Sequence, residues 1–446
     1  MTMQHKYLHF INYLDFYRWD VKAYAFQQKA FENAVRLRDI LKPYNVPLSR
    51  EEMLDNKWSI IAKINFSGKL FLRDPEETKT FKGNVHKVDG ETLIYSKINV
   101  RHGCVYYHPK GAIPFGVSSE YPAYKIDSKR INGDFLVLLL QSRYFKDALS
   151  AGTSGISKAR VKPNVFLDIQ IPLPSVEEQN KIVAAYNSTI VQADNYVQQA
   201  DEINDQIEAY LKEKLGIGMQ TSAKLDSSYR FMRIFQYRDI VNRWDINNVR
   251  GAYKGKFPFV NMADVIIKMS TGTTPPTHNK EYFNGDIDFY TPSDINGSMY
   301  LANAERHVSQ KAIKDNKARL FHKGDLLFVG IGSTVGKVGL IEKDIVSSNQ
   351  QITGITFNTQ KILPEYGFAY MHYFKEYTTA DQSKTTLPIV NQEKIAQIPI
   401  PLPPLTIQSE IVDNISALRA QQKNLRQQAS SLRTQATQQF EQTIFE

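Results

Sequence analysis

The stretch GIGSTVGKVG at residues 330–339 is the part of the chain that comes closest to a nucleotide-binding motif. A phosphate-binding loop has a glycine five positions before the glycine of Gly-Lys, and a serine or threonine directly after the lysine. Ile331 and Val338 occupy these two positions. A dinucleotide-binding fingerprint would need its third glycine where Val335 stands. The stretch therefore predicts neither kind of nucleotide site.

Other catalytic patterns fail in the same way. The tetrapeptide TPPT at 274–277 lacks the acidic or amide residue and the aromatic residue of an amino-methyltransferase motif. The nine histidines form no His-Glu-x-x-His motif, and the sequence has no Gly-x-Ser-x-Gly elbow. A single cysteine, Cys104, excludes a Cys-x-x-Cys metal site and an intrachain disulfide. We therefore predict no catalytic residues, no metal site and no cofactor in this chain.

Length and composition indicate a multidomain protein. A chain of 446 residues is expected to form two to four domains at about 100–200 residues each. The first ten residues show no secretory signal pattern, and apolar runs such as Phe135–Leu140 are far shorter than the ~20 residues that span a bilayer. The single cysteine fits a reducing compartment. We expect a soluble, cytoplasmic protein without a membrane partner.

The positive charge is distributed unevenly. The chain carries a net charge of +9, yet residues 175–215 contain eight acidic and three basic residues, and residues 403–446 contain four of each. The excess of lysine and arginine therefore lies in the rest of the chain. Such an excess attracts polyanions, and nucleic acid is the most common of them. A solvated, lysine-rich surface is the alternative explanation.

The two halves of the chain repeat each other. An Arg-Trp-Asp triplet occurs at 18–20 and again at 243–245, and the Ile-Pro-Leu-Pro run at 171–174 returns at 400–403. Gln179 and Gln408 keep the 229-residue offset of the second pair. Repeated anchors at nearly constant spacing indicate an internal duplication. In each copy, short β-rich runs bounded by glycine and proline precede the Pro-Leu-Pro sequence, and a helix is predicted after it.

Both predicted helices carry an apolar seam with alternating spacings of three and four residues, which is typical of coiled coils. Ser175 is the predicted N-cap of the first helix, and the spacing also places the polar Asn204 on its seam. Because a globular domain separates the helices in sequence, we expect them to pair antiparallel. The seam positions chosen as partner and coiled-coil residues are Val183, Tyr186, Ile190, Val197, Ile207, Leu211, Ile411, Ile415, Leu418, Leu425 and Leu432.

These patterns predict an α+β fold in which two duplicated α/β domains are separated by two long antiparallel coiled-coil helices, with pseudo-twofold symmetry. The predicted segments are a first recognition domain at 1–174, a central helix and linker at 175–228, a second recognition domain at 229–402 and a C-terminal helix at 403–446.

The whole pattern resembles the DNA specificity (S) subunits of Type I restriction-modification systems. The strongest similarity lies in SGISKARVKPNVFLDIQIPLPSVEEQNKIV at 154–183, which resembles the end of a target-recognition domain and the start of the conserved central helix. TGTTPPTHNKEYFNGDIDFYTPSDI at 271–295 is similar to the opening of such a domain, and LLFVGIGSTVGKVGLI at 326–341 is similar to its hairpin loop. The first copy lacks a clear counterpart of the GTTPP and NGDI segments.

The resemblance implies a non-catalytic subunit of a host-defence complex. Each target-recognition domain would read one half of a split site in double-stranded DNA. The helices would set the gap between half-sites and dock two modification (methyltransferase) subunits, which bind S-adenosylmethionine and methylate DNA. Restriction (motor and nuclease) subunits would complete the assembly. Basic domains give phosphate contacts that fix the register of the protein on DNA.

Polar and basic side chains on glycine-containing loops are the candidate DNA contacts, because such groups reach base edges and phosphates. In the first copy they are Lys97, Arg101, His102, Ser157, Lys158 and Arg160. In the second copy they are Thr273, Thr274, Ser333, Thr334, Lys337, Lys384 and Thr385.

Trp19 and Trp244 of the repeated triplet are predicted to pack in the core at the start of each recognition domain. The functional alternative is an indole that stacks on an extruded base. Two other classes stay open for the whole chain. One is a non-catalytic coiled-coil scaffold whose basic domains bind protein or RNA. The other is the specificity subunit of a related system with methylation and cleavage in one partner chain.

Overall fold

The structure is a computed structural model of the 446-residue chain. It describes residues 31, 33–152, 160–217, 255–379 and 388–445. Both Arg-Trp-Asp triplets lie outside the described residues, so the predictions for Trp19 and Trp244 stay predictions. Among the helices of the described ranges, none combines the length and the apolar character needed to cross a membrane.

The chain packs as two compact units. The first consists of Met1–Asn195 with Gln428–Glu446, and the second consists of Tyr196–Gln427. Each of the two long helices therefore contributes residues to both units, whereas the sequence had suggested that the helices form segments of their own.

The first unit contains short strands, short helices and 3₁₀ turns at Leu37–Asp39 and Val100–His102. Its strands are β1 (Ala34–Arg36), β2 (Leu41–Pro43), β3 (Ile61–Ile64), β4 (Leu70–Leu72), β5 (His86–Val88), β6 (Thr92–Tyr95), β7 (Val105–His108), β8 (Phe115–Val117), β9 (Ala123–Ile126) and β10 (Gln170–Pro172). Its short helices are α1 (Arg50–Asp55), α2 (Pro75–Thr80), α3 (Gly133–Gln141), α4 (Arg143–Gly152) and α5 (Pro163–Leu167), and the long helix α6 (Val176–Leu215) begins here.

The second unit is built from the same kinds of element, with 3₁₀ turns at Met262–Val265 and Lys280–Tyr282. Its strands are β11 (Phe259–Asn261), β12 (Ile266–Thr271), β13 (Ile287–Tyr290), β14 (His307–Val308), β15 (Leu320–His322), β16 (Leu326–Val329), β17 (Val338–Leu340), β18 (Ile345–Ser348), β19 (Ile352–Phe357) and β20 (Pro399–Pro401). Its helices are α7 (Gln310–Lys314), α8 (Pro364–Tyr373), α9 (Lys375–Thr378), α10 (Gln392–Ala396) and the long α11 (Leu405–Phe445).

The same central sheet is built in both units. Its order is β2-β9-β6-β7 in the first and β12-β19-β16-β17 in the second, and every neighbouring pair is antiparallel. Leu93 and Leu327 are fully buried residues of the corresponding strands β6 and β16. The internal duplication that the sequence indicates is therefore also a duplication of strand order and of strand register.

The repeated Ile-Pro-Leu-Pro runs form an equivalent two-stranded ribbon in each unit. Ile171 of β10 pairs with Val35 of β1, and Ile400 of β20 pairs with Val260 of β11. Both isoleucines are buried, at 1% and 0% exposure. Proline is tolerated here because a two-stranded ribbon leaves one edge of each strand without a ladder partner.

The largest difference between the units lies beside the central sheet. The second unit has a four-stranded sheet in the order β14-β13-β18-β15, in which β13 and β18 are parallel. The first unit has two separate antiparallel pairs there, the hairpin of β3 with β4 and the pair of β5 with β8. This region is therefore where the two units can differ in what they contact.

The two long helices begin as the sequence predicts. Ser175 accepts a hydrogen bond from the backbone N of Glu178 (3.3 Å), and the Glu178 carboxylate accepts one from the backbone N of Ser175 (2.9 Å). This reciprocal pair is a capping box. The hydrogen bonds from the Ser175 side chain and backbone lower the pKa of Glu178. The helices α6 and α11 contain 40 and 41 residues.

Within each unit the long helices run antiparallel. In the second unit, Lys214 pairs with Glu410, and Arg426 pairs with Asp201 at 3.1 Å. In the first unit, Arg433 pairs with Asp194 at 2.6 Å. Residue numbers fall on one helix as they rise on the other, which defines the antiparallel direction. The predicted α+β fold class, with duplicated domains and long antiparallel helices, is confirmed.

The predicted seam residues on α6 and α11 are all buried or half-buried. One position of the notional heptad differs: Ile203 is 1% exposed, whereas Asn204 faces solvent. A spacing of three from Ala200 and of four to Ile207 passes through Ile203. The prediction of a polar Asn204 in the seam is wrong, and the contact line of α6 is apolar there.

Candidate nucleic-acid interface

One edge of the second unit's central sheet gathers the predicted loops. Because neighbouring strands are antiparallel, the end of β12, the start of β19 and the end of β16 meet at the same edge. The backbone N of Thr273 donates to Ser348 O (3.0 Å), and that of Gly332 donates to Pro388 O (3.1 Å). Gln392 donates from its side chain to Thr271 Oγ1 (2.8 Å). These contacts hold three chain segments side by side.

The predicted residues of the second unit that the structure describes lie on this edge. Thr273 and Thr274 follow β12 and are half-buried, and the Thr274 hydroxyl donates to Gln350. Ser333 is exposed at the tip of the loop after β16. The carbonyl of Thr334 accepts a hydrogen bond from the backbone N of Lys337 (3.2 Å). Lys337 is the residue directly before β17. The result is a surface of hydroxyls, amides and one lysine.

Three glutamines on this surface were missed by the sequence analysis. Gln350 accepts from Thr274, Gln351 donates to Ile331 O (3.4 Å), and Gln392 joins Thr271. Amide side chains present a donor and an acceptor together, which suits the recognition of an adenine edge. No local motif marks them; only their position before β19 or beside the loop reveals them.

The corresponding edge of the first unit contains an open cavity of about 460 Å³. Lys97 lies in its wall and is half-buried. The backbone N of Lys97 donates to Glu120 O (3.1 Å), and Lys97 O accepts from the backbone N of Val161 (2.8 Å). The polar lining residues are Tyr44, Asn45, His86, Lys97, Ser118, Ser119, Tyr121 and Tyr124.

Arg160 lies beside Lys97 and is ion-paired. Its Nε is 3.1 Å from Glu120 Oε2, and the Arg160 side chain is 62% exposed. An exposed pair of this kind contributes little to stability. The guanidinium can therefore exchange the carboxylate for a phosphate at small cost. Lys97 and Arg160 thus both contact Glu120, Lys97 through its backbone N and Arg160 through its side chain.

Arg101 and His102 belong to the 3₁₀ turn that follows Lys97, and they form a second group. His102 is exposed, and its ring lies 5.2 Å from the ring of Phe66 at the tip of the β3–β4 hairpin. The turn ends at Gly103, whose φ of 87° is in the left-handed region that glycine adopts without strain. The predicted residues Ser157, Lys158, Lys384 and Thr385 lie outside the described residues.

The backbone pairing after β2 differs from that after β12. The backbone N of Tyr44 donates to Ala123 O at 2.9 Å, and that of Gly272 donates to Ile352 O at 2.9 Å. Lys97 and Gly330 are equivalent, because their backbone N atoms donate to Glu120 O and Gln351 O and their carbonyls accept from the backbone N of Val161 and Val390. In this register Ala123 corresponds to Gly354 and not to Ile352, so Tyr44 does not occupy the place of Gly272.

Tyr44 lines the cavity of the first unit and contacts a pair of charged residues beside it. Its hydroxyl donates to Asp89 Oδ2 (2.7 Å), and Asp89 also contacts Lys125. Burial and the Asp89 carboxylate raise the pKa of Tyr44 to about 12. Although burial opposes it, hydrogen bonds from Lys125 and Tyr44 lower the pKa of Asp89. The phenol therefore stays neutral and the carboxylate charged near neutral pH.

Metal ligands do not converge in the described ranges: no group of three or more His, Cys, Asp or Glu side chains there could hold a metal ion. The edges described above offer hydrogen-bond donors, acceptors and positive charge. These are the groups that bind a polyanion and read base edges.

Comparison with known proteins finds sequence similarity to DNA specificity subunits. The family model "Type I restriction modification DNA specificity domain" matches residues 254–432. The Type I restriction enzyme MjaIX specificity subunit of Methanocaldococcus jannaschii is 30% identical over 159 residues, which cover 33% of this chain and 35% of that protein. The EcoDI specificity subunit of Escherichia coli is 20% identical over 317 residues, covering 69% of this chain and 67% of that one.

A solved structure has a similar fold. A chain from a structure that addresses complex assembly and conformational transition of the type I R-M system matches with a TM-score of 0.57 at 15% sequence identity. The match covers 93% of this chain and 97% of that one. Residues 254–432 thus match a Type I DNA specificity domain, and the chain is similar to Type I restriction-modification DNA specificity subunits in sequence and to a chain of a type I R-M structure in fold.

Proposed function

We propose that this chain is the sequence-specific DNA-binding subunit of a Type I restriction-modification complex, with one half-site read by each unit. The observation that carries the proposal is the repeated sheet edge. Both units end the same strands of the same sheet at loops rich in hydroxyl, amide and basic groups. Different side chains on a common frame would let one chain read two different half-sites.

Charge supports the same assignment. The net charge is +9, and the long helices do not account for it. Lys97, Arg101 and Arg160 lie near the edge of the first unit, and Lys337 lies at that of the second. Lysine and arginine at such positions position a protein on the phosphate backbone, while amides and hydroxyls discriminate between bases.

The long helices would carry the second part of the function. Each contributes to both units, so we propose that their length sets the gap between half-sites. Their solvent-facing sides would dock two methyltransferase subunits, which bind the methyl donor S-adenosylmethionine, and restriction subunits would join that assembly. This chain would determine which DNA sequence is bound, and its partners would catalyse methylation and cleavage.

The experiment that tests the proposal is site selection on random duplex DNA with the complex that co-purifies with the chain. Two different short half-sites at one fixed spacing are expected. The mass of the complex, measured by light scattering, should correspond to two modification subunits for each specificity chain.

A single short motif would contradict the assignment of one reading function to each unit. Binding that shows only salt-sensitive background, without any enriched sequence, would contradict the proposal as a whole. That result would instead favour a scaffold whose basic domains bind protein or RNA.

A further inference from the structure

The tip of the β3–β4 hairpin in the first unit projects an aromatic side chain into solvent. Phe66 is 66% exposed, which is unusual for a phenylalanine on a turn that is otherwise well held. The side-chain oxygen of Asn65 accepts from the backbone N of Ser67 (3.1 Å) and of Lys69 (2.7 Å). The turn is therefore fixed by its own hydrogen bonds and holds the phenyl ring in place.

The second unit has a differently bonded turn at the corresponding place, with its apolar residue buried. Asp294, 229 positions after Asn65, accepts from the backbone N of Thr291 (2.7 Å), a residue that precedes it. Gly68 and Gly297 are 229 positions apart, both have positive φ (81° and 90°), and they pack against Gln141 and His372, which are 231 positions apart. By this alignment Ile295 is the counterpart of Phe66, and Ile295 is 0% exposed. The fold thus covers this position in one unit and leaves it open in the other.

The surroundings of Phe66 are basic and aromatic. Residues 59–73 contain three basic residues and no acidic one. The Nζ atoms of Lys63 and Lys69 lie 5.2 and 5.7 Å from the ring centre of Phe71, which is itself 37% exposed. His102, from the loop that contains the candidate DNA contacts, lies against Phe66. The hairpin therefore lies beside the second group of candidate DNA contacts, Arg101 and His102.

We propose that the β3–β4 hairpin is a DNA-contacting element of the first unit, in which Phe66 makes apolar contact with bases or sugars in a groove while Lys63 and Lys69 bind phosphates. Positive charge around an exposed ring complements a duplex, whose outer surface is anionic and whose grooves expose apolar edges. The second unit has no such contact, because its counterpart turn buries Ile295. The inference rests on the proposed function and adds a determinant that belongs to one half-site.

The test uses the complete complex and the duplex that site selection recovers. Binding is measured from 50 to 200 mM salt for the wild type, Phe66→Ala, and the double variant Lys63→Gln with Lys69→Gln. Ile113→Ala is the matched control, because Ile113 is 77% exposed in the same unit but follows the opposite end of β7. Thermal unfolding of each variant checks that the unit still folds.

Phe66→Ala is expected to weaken binding about tenfold, within the range of an aromatic–base contact, and to leave the salt dependence unchanged. The double lysine variant should reduce the slope of log K against log salt by about two, one for each phosphate contact. Ile113→Ala should bind like the wild type. Loss of affinity without a change in slope is the sign of an apolar groove contact.

Unchanged affinity of Phe66→Ala, with two half-sites still selected by the wild type, would overturn this inference and leave the proposed function standing. Release of the modification subunits from Phe66→Ala at unchanged DNA affinity would also overturn it, since the ring would then contact protein. Failure of the wild type to select any site would overturn the proposed function and, with it, this inference.

Discussion

A buried glutamine joins the start of each long helix to its own unit by the same three hydrogen bonds. The Gln408 amide donates to Lys361 O (2.9 Å) and Pro403 O (2.8 Å), and its oxygen accepts from the backbone N of Leu363 (2.8 Å). Gln179 makes the equivalent bonds in the first unit, at 3.0, 2.8 and 2.7 Å. Both glutamines are 0% exposed. An apolar residue of similar size could fill the space but could not satisfy these backbone groups.

Replacement of Gln408 by leucine should therefore destabilise the second unit. Two carbonyls and one N–H would be left buried without partners, at a cost of about 3 kcal/mol. Chemical denaturation followed by the fluorescence or circular dichroism of the complex measures the change. Gln421→Leu is the control, because Gln421 is exposed on the same helix and its substitution should cost less than about 0.5 kcal/mol. Equal effects of the two variants would contradict the structural role of Gln408.

A buried histidine makes the stability of the second unit depend on pH. Burial, followed by the positive charges of Arg419 and Lys375, lowers the pKa of His372 to about 4. In the unfolded chain the imidazole titrates near its usual value of 6.5. Between these values the unfolded state binds the extra proton. The stability that neutral His372 provides is therefore complete above about pH 6.5 and is lost as the pH falls toward 4.

His372→Gln should remove that part of the pH dependence, because glutamine occupies the equivalent position of the first unit as Gln141. The free energy of unfolding of the wild type should fall more steeply between pH 6.5 and 4, by up to about 1.4 kcal/mol per pH unit for one proton. Denaturation curves at several pH values measure this difference. His278→Gln, at an exposed position, is the control and should keep the wild-type slope. Parallel curves for the wild type and His372→Gln would contradict the assignment.

At the scale of elements, the sequence predicts the structure best where both copies contain the same residues. The two long helices were expected from the repeated residues and the apolar spacing, and short β-rich runs were expected before each Pro-Leu-Pro sequence, whereas the Ile-Pro-Leu-Pro ribbon was not predicted. The different backbone pairing of the segments after β2 and after β12 could not be predicted, because it is defined by contacts with the distant strands β9 and β19. The exposure of Phe66 could not be predicted either, because its turn shares only a glycine with the turn of Ile295.

The register of α6 illustrates how tertiary packing decides between close alternatives. An alternation of three and four residues connects Ala200 to Ile207 through either Ile203 or Asn204. In α6, Ile203 faces the hydrophobic core that also contains Leu425 of α11, because burying an amide without partners would cost more than burying a hydrocarbon. The pattern predicts the helix and its face, and the packed partner determines which residue faces inward.

This register is testable with adjacent substitutions. Ile203→Ala should lower the free energy of unfolding by about 2–4 kcal/mol, as expected for truncation of a buried isoleucine. Asn204→Ala should change it by less than about 0.5 kcal/mol, because the side chain is solvent-exposed. Denaturant titrations of the two variants under identical conditions compare them directly. A larger loss for Asn204→Ala would restore the register that the heptad spacing had suggested.

At the scale of the whole molecule, the proposed function requires that the two reading surfaces act independently. The candidate residues of each surface belong to different compact units, Lys97 to the first and Lys337 to the second. Substitutions at distant sites without shared partners change binding free energy additively, within about 0.5 kcal/mol. A substitution in one reading surface should therefore weaken recognition of one half-site and leave recognition of the other unchanged.

Lys97→Gln and Lys337→Gln form a matched pair for this test, because each removes one positive charge from a half-buried lysine at the edge of a central sheet. Site selection with each variant complex should retain the opposite half-site and the spacing, which neither substitution touches, while enrichment of one half-site weakens. If the lysines bind phosphates, each variant should reduce the salt slope by about one, and the double variant by about two. A change of both half-sites together, or a change of the gap, would mean that the two units do not read DNA separately.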